Sequence, residues 1–360
     1  MEIHLRVADE TLPKSSSHAT VAESVNGCRP YTFSAPKRRY GQHVVIEDER
    51  ITVAIISIVF FFVIAFAFFL VWWAHEAEKD RSAMVGLYLL LGGPGFLLFV
   101  AGLAVATRRG VDGFGPTLFL GGAGLLLPLA RPVRVLLARI GDFNPDDPVH
   151  MLGTGIFLGV LGFLGGQLIS APEPDEVGSF DVGPIIVQGV FFVALAVVAV
   201  GYRIDRDLAD VVKRLNLNRP TYSGMAVALA AVVVGFVTSG MASAITRATN
   251  EKYADEIDRS LEVMTTSSPS YLAAPLIGIS AGVGEELLFR GALQPRYGIV
   301  PTSLLFALLH SQYGLSFITL GTFLLGCLFG IVAKRYGTTH AIVAHATYNT
   351  LAVVISTLVD

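Results

Sequence analysis

The chain is predicted to be all-α, a polytopic membrane helix bundle of about eight or nine spans with one or two short re-entrant or interfacial segments. Three observations predict it. Hydrophobic residues make up 53% of the 360 positions and charged residues only 15%, a balance suited to lipid rather than water. Apolar runs of roughly twenty residues recur along the chain, each enough for about 30 Å of hydrocarbon. Lys and Arg gather at the ends of those runs, as they do in loops that flank a bilayer.

Taken in order, residues 1–50 are polar, with Ser15, Ser16, Ser17 and the basic run Lys37, Arg38, Arg39. They hold no apolar stretch followed by a small-residue cleavage site, so they are not a secretory signal. They are too few and too polar to bury a core, which predicts a mostly disordered, cytoplasmic tail. Spans are expected near 51–74, 83–107, 151–170, 183–201, 222–246, 271–293, 315–333 and 339–358. Residues 51–250 form an accessory set of helices on this reading, and 271–360 the functional core.

Loop charges orient the bundle. The loop at 171–182 holds Glu173, Asp175, Glu176 and Asp181 without Lys or Arg, whereas 202–221 holds Arg203, Arg206, Lys213, Arg214 and Arg219. The basic loop should be cytoplasmic. The charges before Ile51, the pair Arg108 and Arg109, and the trio Arg131, Arg134, Arg139 can all join it only if 115–130 does not cross. Gly121, Gly122, Gly124 and Pro128 make that stretch a poor straight helix, so a re-entrant or interfacial course is predicted. Arg131 to Ile140 reads as an amphipathic helix on the cytoplasmic surface. The acidic stretch 247–270, with Asp255, Glu256, Asp258 and Glu262, reads as a short helix on the opposite surface.

Some functions are excluded at this point. A formal net charge of −3 and the absence of a basic patch give no reason to expect a nucleic-acid partner. Two cysteines, Cys28 and Cys327, supply neither a disulfide framework nor a Cys-rich metal site. The pairs Gly155/Gly159, Gly162/Gly166, Gly278/Gly282 and Gly326/Gly330 predict close helix contacts. No repeat of fixed period is visible, which weighs against a transporter built from inverted halves.

The C-terminal segments carry Glu285, Glu286, Arg290, His310, His345 and Asn349. Ionisable groups at membrane depth are costly and mark functional sites. Glu286 and Arg290, four apart, share a helix face and can pair, while Glu285 is turned by about 100° and left free. The paired carboxylate stays ionised; a free one in low dielectric is pushed toward the range of a general base. His345 and Asn349, also four apart, aim an imidazole and an amide into one pocket, a pair of donors suited to an oxyanion. The run 298–309 rises only roughly 18 Å and would end near mid-bilayer with His310 at its tip. A cavity below the cytoplasmic surface could then hold Glu285, His310 and His345 together.

Glu285-Glu286-x-x-x-Arg290, then Phe306-x-x-x-His310, then His345-x-x-x-Asn349, in that order on apolar segments, resembles the signature of the CPBP family, the CAAX-protease and bacteriocin-processing group that includes type II CAAX prenyl endopeptidases. The resemblance covers 271–356. It implies an intramembrane endopeptidase in which Glu285 and His310 activate water, His345 and Asn349 stabilise the tetrahedral intermediate, and Glu286 and Arg290 keep the site assembled. The implied substrate is a membrane-attached or lipidated peptide, cut near the cytoplasmic face. Glu285, His310 and His345 could also complete a Zn2+ site with an open position, or act as a metal-free glutamate and histidine pair. A His-Glu-x-x-His zinc helix is missing: His75-Glu76 continues Ala77-Glu78-Lys79.

Gly278-Ile279-Ser280-Ala281-Gly282 matches Gly-x-Ser-x-Gly but lacks the strand-to-helix turn of a nucleophile elbow. No Asp lies between Tyr271 and Val359, which excludes an aspartyl protease. Two other classes stay open: a proton-coupled transporter using the buried Glu and His groups, and a non-catalytic immunity or scaffold protein.

Overall fold

A computed structural model describes residues 42–111, 113–170, 182–266 and 273–359. The tail at 1–41 and the acidic loop at 171–181, with the expectations attached to them, lie outside the described residues. The chain divides into two units, Met1–Glu47 and Asp48–Asp360, and the second contains the bundle. Among the described residues the only β pairing is a bridge between Tyr202 and Arg206.

Helix α1 (Gln42–Ala77) starts before the apolar run at Ile51 and turns into α2 (Arg81–Arg109). Asp80 caps α2, its carboxylate accepting from the Ser82 and Ala83 N–H groups at 3.2 Å, which satisfies donors the first turn leaves free. Phe61 is 68% and Phe62 66% exposed on α1. Such a surface would aggregate in water but suits acyl chains.

The third helix departs from expectation. Helix α3 (Gly115–Leu126) continues through a 3₁₀ turn (Leu127–Leu129) and bends by 94° into α4 (Arg131–Leu137). It does not re-enter: it runs antiparallel to both α2 and α5 (Pro148–Ser170), with Gly102 against Phe119 and Gly95 against Leu125 on one side, Gly166 against Thr117 and Gly124 against Leu158 on the other. Glycines that weaken a lone helix here let three backbones touch, and close packing drives helix association in lipid. At the bend the Arg134 guanidinium donates to the carbonyls of Pro128 (2.6 Å), Leu129 (3.0 Å) and Pro145 (2.6 Å), taking up acceptors a helix end would leave unpaired. Leu136 and Ile140 are exposed beside it, consistent with the interfacial helix expected.

Helix α6 (Val182–Ala199) runs parallel to α1, since Phe60 stacks on Phe191 at 4.0 Å and His75 meets Asp205 at 3.8 Å. The short α7 (Leu208–Arg214) sits in the basic loop, and α8 (Tyr222–Thr249) leads to α9 (Glu251–Thr266) at the far end. The bundle thus has a basic end, with 131–147 and 200–221, and an opposite end where α9 lies. Because α2 and α3 are antiparallel partners, Arg108 and Arg109 lie at the end opposite Arg131. These two basic clusters therefore do not share a face, contrary to the expectation from loop charge.

Among the described residues six helices are long and apolar enough to cross a membrane: Ile51–Ala77, α2, α5, α6, α8 and α13 (Phe317–Tyr336), or up to seven if the bent pair is one span. That is fewer than the eight or nine expected. The run at 271–293 is divided between α10 (Ala273–Glu286) and a π-helix (Leu287–Leu293). The remaining pieces are α11 (Gln294–Tyr297), α12 (Ile299–Leu308) and α14 (Thr338–Val359). Helix α10 packs on α14 through Gly278 and Gly282, where a Cβ on Gly282 would come within 2.7 Å of the Ala346 nitrogen.

Candidate active site

Three elements, α10, the π-helix and α14, bring Glu285, Glu286, Arg290, His345 and Asn349 together. Glycines on α10 bring its backbone against α14, so the last turn of α10, bearing Glu285 and Glu286, faces His345. The π-helix follows at once and carries Arg290. π segments are rare and recur at functional sites; here the Gln294 N–H reaches back to the Phe289 carbonyl, while the carbonyls of Gly291 and Ala292 accept from Arg214 at 3.0 and 3.4 Å. Helix α12 has only 10 residues, a rise of about 15 Å, and delivers His310 just past its end, as the run length predicted.

Glu286 is fully buried and saturated. One oxygen accepts from Arg290 Nε at 3.1 Å and the other from His345 Nδ1 at 2.9 Å. A carboxylate in this position only accepts, so Nδ1 of His345 carries the proton and Nε2 is the atom left for chemistry. Asn349 Nδ2 lies 3.2 Å from that Nε2. Glu285 Oε2 lies 3.9 Å from it and has no hydrogen-bond partner among the described residues. The pairing of Glu286 with Arg290 and the freedom of Glu285 are as the spacing predicted. The second bond of Glu286, to His345, is not visible in either motif taken alone.

His310 makes no hydrogen bond to this group among the described residues. Its Nδ1 bonds to the Phe306 carbonyl at 2.9 Å, an acceptor, so the imidazole's open nitrogen is Nε2. The Phe306 ring lies beside both imidazoles, 4.8 Å from His310 and 5.9 Å from His345. Among the described residues no three His, Cys, Asp or Glu side chains converge closely enough to hold a metal ion. Both nitrogens of His345 are already in contact with Glu286 and Asn349, so the Zn2+ ligand set Glu285, His310 and His345 does not fit this arrangement.

Aromatic packing that spacing did not reveal holds the imidazoles. Phe329 stacks on His345 at 4.9 Å and 21°, and the Arg290 guanidinium lies 5.2 Å over Phe306, a cation–π contact in a desolvated site. Tyr313 stacks on His310 at 6.4 Å and lies within electrostatic reach of Glu285. Its backbone carbonyl accepts from Tyr253 on α9 at 3.2 Å. Tyr313 follows His310 by one turn, the only hint its position gave. His340 is also buried, but its Nε2 accepts from the Thr221 N–H at 3.1 Å and caps α8. Ser280 lies inside α10 and donates to the Ile185 carbonyl at 2.9 Å, so the Gly-x-Ser-x-Gly match is packing.

Residues 267–351 match the family model described as type II CAAX prenyl endopeptidase Rce1-like. Neither the curated proteins nor the solved structures contain a match to the chain. The matched segment contains all three motifs and every residue of the buried group. The C-terminal part of this integral membrane protein thus carries a segment similar to the Rce1-like, type II CAAX prenyl endopeptidases, consistent with the CPBP proteases.

Proposed function

We propose that this protein is an intramembrane endopeptidase that hydrolyses a peptide bond of a membrane-attached, lipid-modified peptide, with Glu285 as general base. The observation that carries the reading is the division of labour between adjacent carboxylates: Glu286 is saturated by Arg290 and His345, while Glu285 Oε2 is unpartnered 3.9 Å from His345 Nε2. A general base must have an open lone pair, and of the two adjacent carboxylates only Glu285 has an unpartnered oxygen.

In this reading Glu285, assisted by His310 Nε2, takes a proton as water attacks the scissile carbonyl carbon. The resulting oxyanion is met by an N–H of Asn349, beside the His345 ring that Glu286 holds in place. When the C–N bond breaks, Glu285 returns its proton to the leaving amine. Glu286 and Arg290 are positioning residues. The basic end, with Arg203, Arg206, Lys213 and Arg214, faces the cytoplasm on the charge rule. The peptide enters from that face and is cut at a depth of roughly 15–18 Å, the length of chain from Glu285 to the basic end. That orientation puts the Ile51 end of α1 on the other side, opposite to the placement expected for the tail.

The test is the full chain in lipid nanodiscs, incubated with a library of prenylated, acylated and unmodified peptides and read by mass spectrometry. The wild type should cleave lipid-modified members; Glu285→Ala should bind them without cleaving. Cleavage should persist in chelator, and a loss restored by Zn2+ would refute the metal-free route. Proton-coupled flux abolished by Glu285→Ala, with no cleavage by the wild type, would instead establish a transporter. Binding without cleavage by either form would mean a scaffold.

A further inference from the structure

A cavity of about 680 Å³ opens at the basic end, walled by α7, α11 and the residues after α4. Its charges are sorted by depth. Arg214 and Arg296 are half-buried on its wall and Asp142 and Asp210 stand exposed at its rim, while the ion-paired side chains of Arg206 and Asp205 are equally half-exposed between them. Of the acids only Asp205 is paired, with Arg206 at 3.0 Å and His75 at 3.8 Å. No carboxylate lies within 4 Å of the side-chain nitrogens of Lys213, Arg214 or Arg296 among the described residues. Burial and mutual repulsion push the Arg214 and Arg296 pKa values below the ordinary arginine range.

Two guanidinium groups, those of Arg214 and Arg296, held on one open volume without direct neutralisation call for an anion. Guanidinium is the side chain best matched to phosphate oxygens. The depth selects the source. Ile140, 77% exposed, ends the interfacial segment two residues before Asp142, and Leu208 and Val212 are exposed on α7 beside the cavity. Apolar side chains displayed at a helix-bundle end put the rim at the boundary of acyl chains and headgroups.

We propose that this cavity binds the phosphate of an anionic phospholipid headgroup, with Arg214 and Arg296 as its inner contacts and Lys213 at the mouth. Basic pockets at the cytoplasmic ends of membrane helices take headgroups of this kind. The site is separate from the catalytic group but joined to it by one residue. Arg214 holds the Gly291 and Ala292 carbonyls, so an anion seated on Arg214 braces the π-helix that carries Arg290. This inference does not depend on the protein being a protease.

The experiment titrates purified full chain, in neutral detergent, with short-chain phosphatidylglycerol, phosphatidylcholine or inorganic phosphate, and reads the thermal unfolding midpoint. Ligand binding to the folded form raises it by mass action. Phosphatidylglycerol should raise it saturably and phosphatidylcholine should not. A rise with inorganic phosphate at equal concentration supports a phosphate site filled from solution and overturns the lipid assignment. In Lys213→Gln/Arg296→Gln the half-saturating phosphatidylglycerol concentration should rise by about 25-fold, at roughly fivefold per charge. Arg214 is left in place because it also supports the π-helix. Should that double variant fail to fold, Asp210→Asn, which removes a rim anion, should lower the half-saturating concentration several-fold. An equal response to both lipids, or a phosphatidylglycerol response unchanged by these variants, overturns the proposal.

Discussion

Replacing each of the adjacent glutamates by glutamine should give opposite outcomes. In Glu286→Gln the side chain keeps its shape but loses its charge, leaving Arg290, which is 2% exposed and whose two Nη groups have no partner among the described residues, as an uncompensated buried cation. Breaking a buried ion pair by removing one partner costs about 3–5 kcal/mol, and Glu286 also accepts from His345 at 2.9 Å, a charge-assisted bond worth about 1.5–3 kcal/mol. Gln retains one acceptor oxygen, so the expected total is about 3–5 kcal/mol rather than the sum. In Glu285→Gln the lost charge had no hydrogen-bond partner at Oε2, and stability should stay within about 1 kcal/mol of wild type or rise slightly. Cleavage should nevertheless fall by about 10²–10⁴, the worth of a positioned general base. Equilibrium unfolding in mixed micelles, followed by circular dichroism, gives the stabilities, and the peptide assay gives the rates. If the two variants destabilise equally, the carboxylates share one structural role and the assignment of Glu285 as the free base is wrong.

Two further predictions concern the scaffold. A Cβ on Gly124 would collide with the Leu158 carbonyl, whereas one on Gly93 meets nothing within 4 Å. Gly124→Ala should therefore destabilise by about 1–3 kcal/mol, while Gly93→Ala should be neutral or stabilising by up to about 1 kcal/mol; the same unfolding assay ranks them, and a reversed order would refute the close α3–α5 contact. At the interfacial helix, Arg131 Nε bonds to Asp146 at 2.7 Å and holds its carboxyl below the usual range. A depressed folded pKa means the contact is fully present above the ordinary carboxylate value of about 3.9 and is lost as pH falls through the folded value. Hydrogen exchange of residues 131–140, corrected for intrinsic rates, should show protection falling in that window, and Asp146→Asn should remove the step.

The chain's own residues were enough to predict a helical membrane protein, to place the Glu, His and Asn motifs, and to pair Glu286 with Arg290. Those features are local: apolar run length sets a span, and residues four apart on a helix meet whatever surrounds them. The tertiary structure decided what depends on contacts between distant segments. Glycines read as helix-weakening at 121–124 instead let α3 lie between α2 and α5, which no pattern within that stretch could indicate. The bond from Glu286 to His345 joins residues 59 apart in sequence, and it alone fixes which imidazole nitrogen faces Glu285. The π-helix, the Phe329 stack and the Phe306 ring lying beside both imidazoles likewise follow from how α10, α12, α13 and α14 pack. Spacing names the groups that can do chemistry, but helix packing sets the distances between them and so decides which of them are free to act.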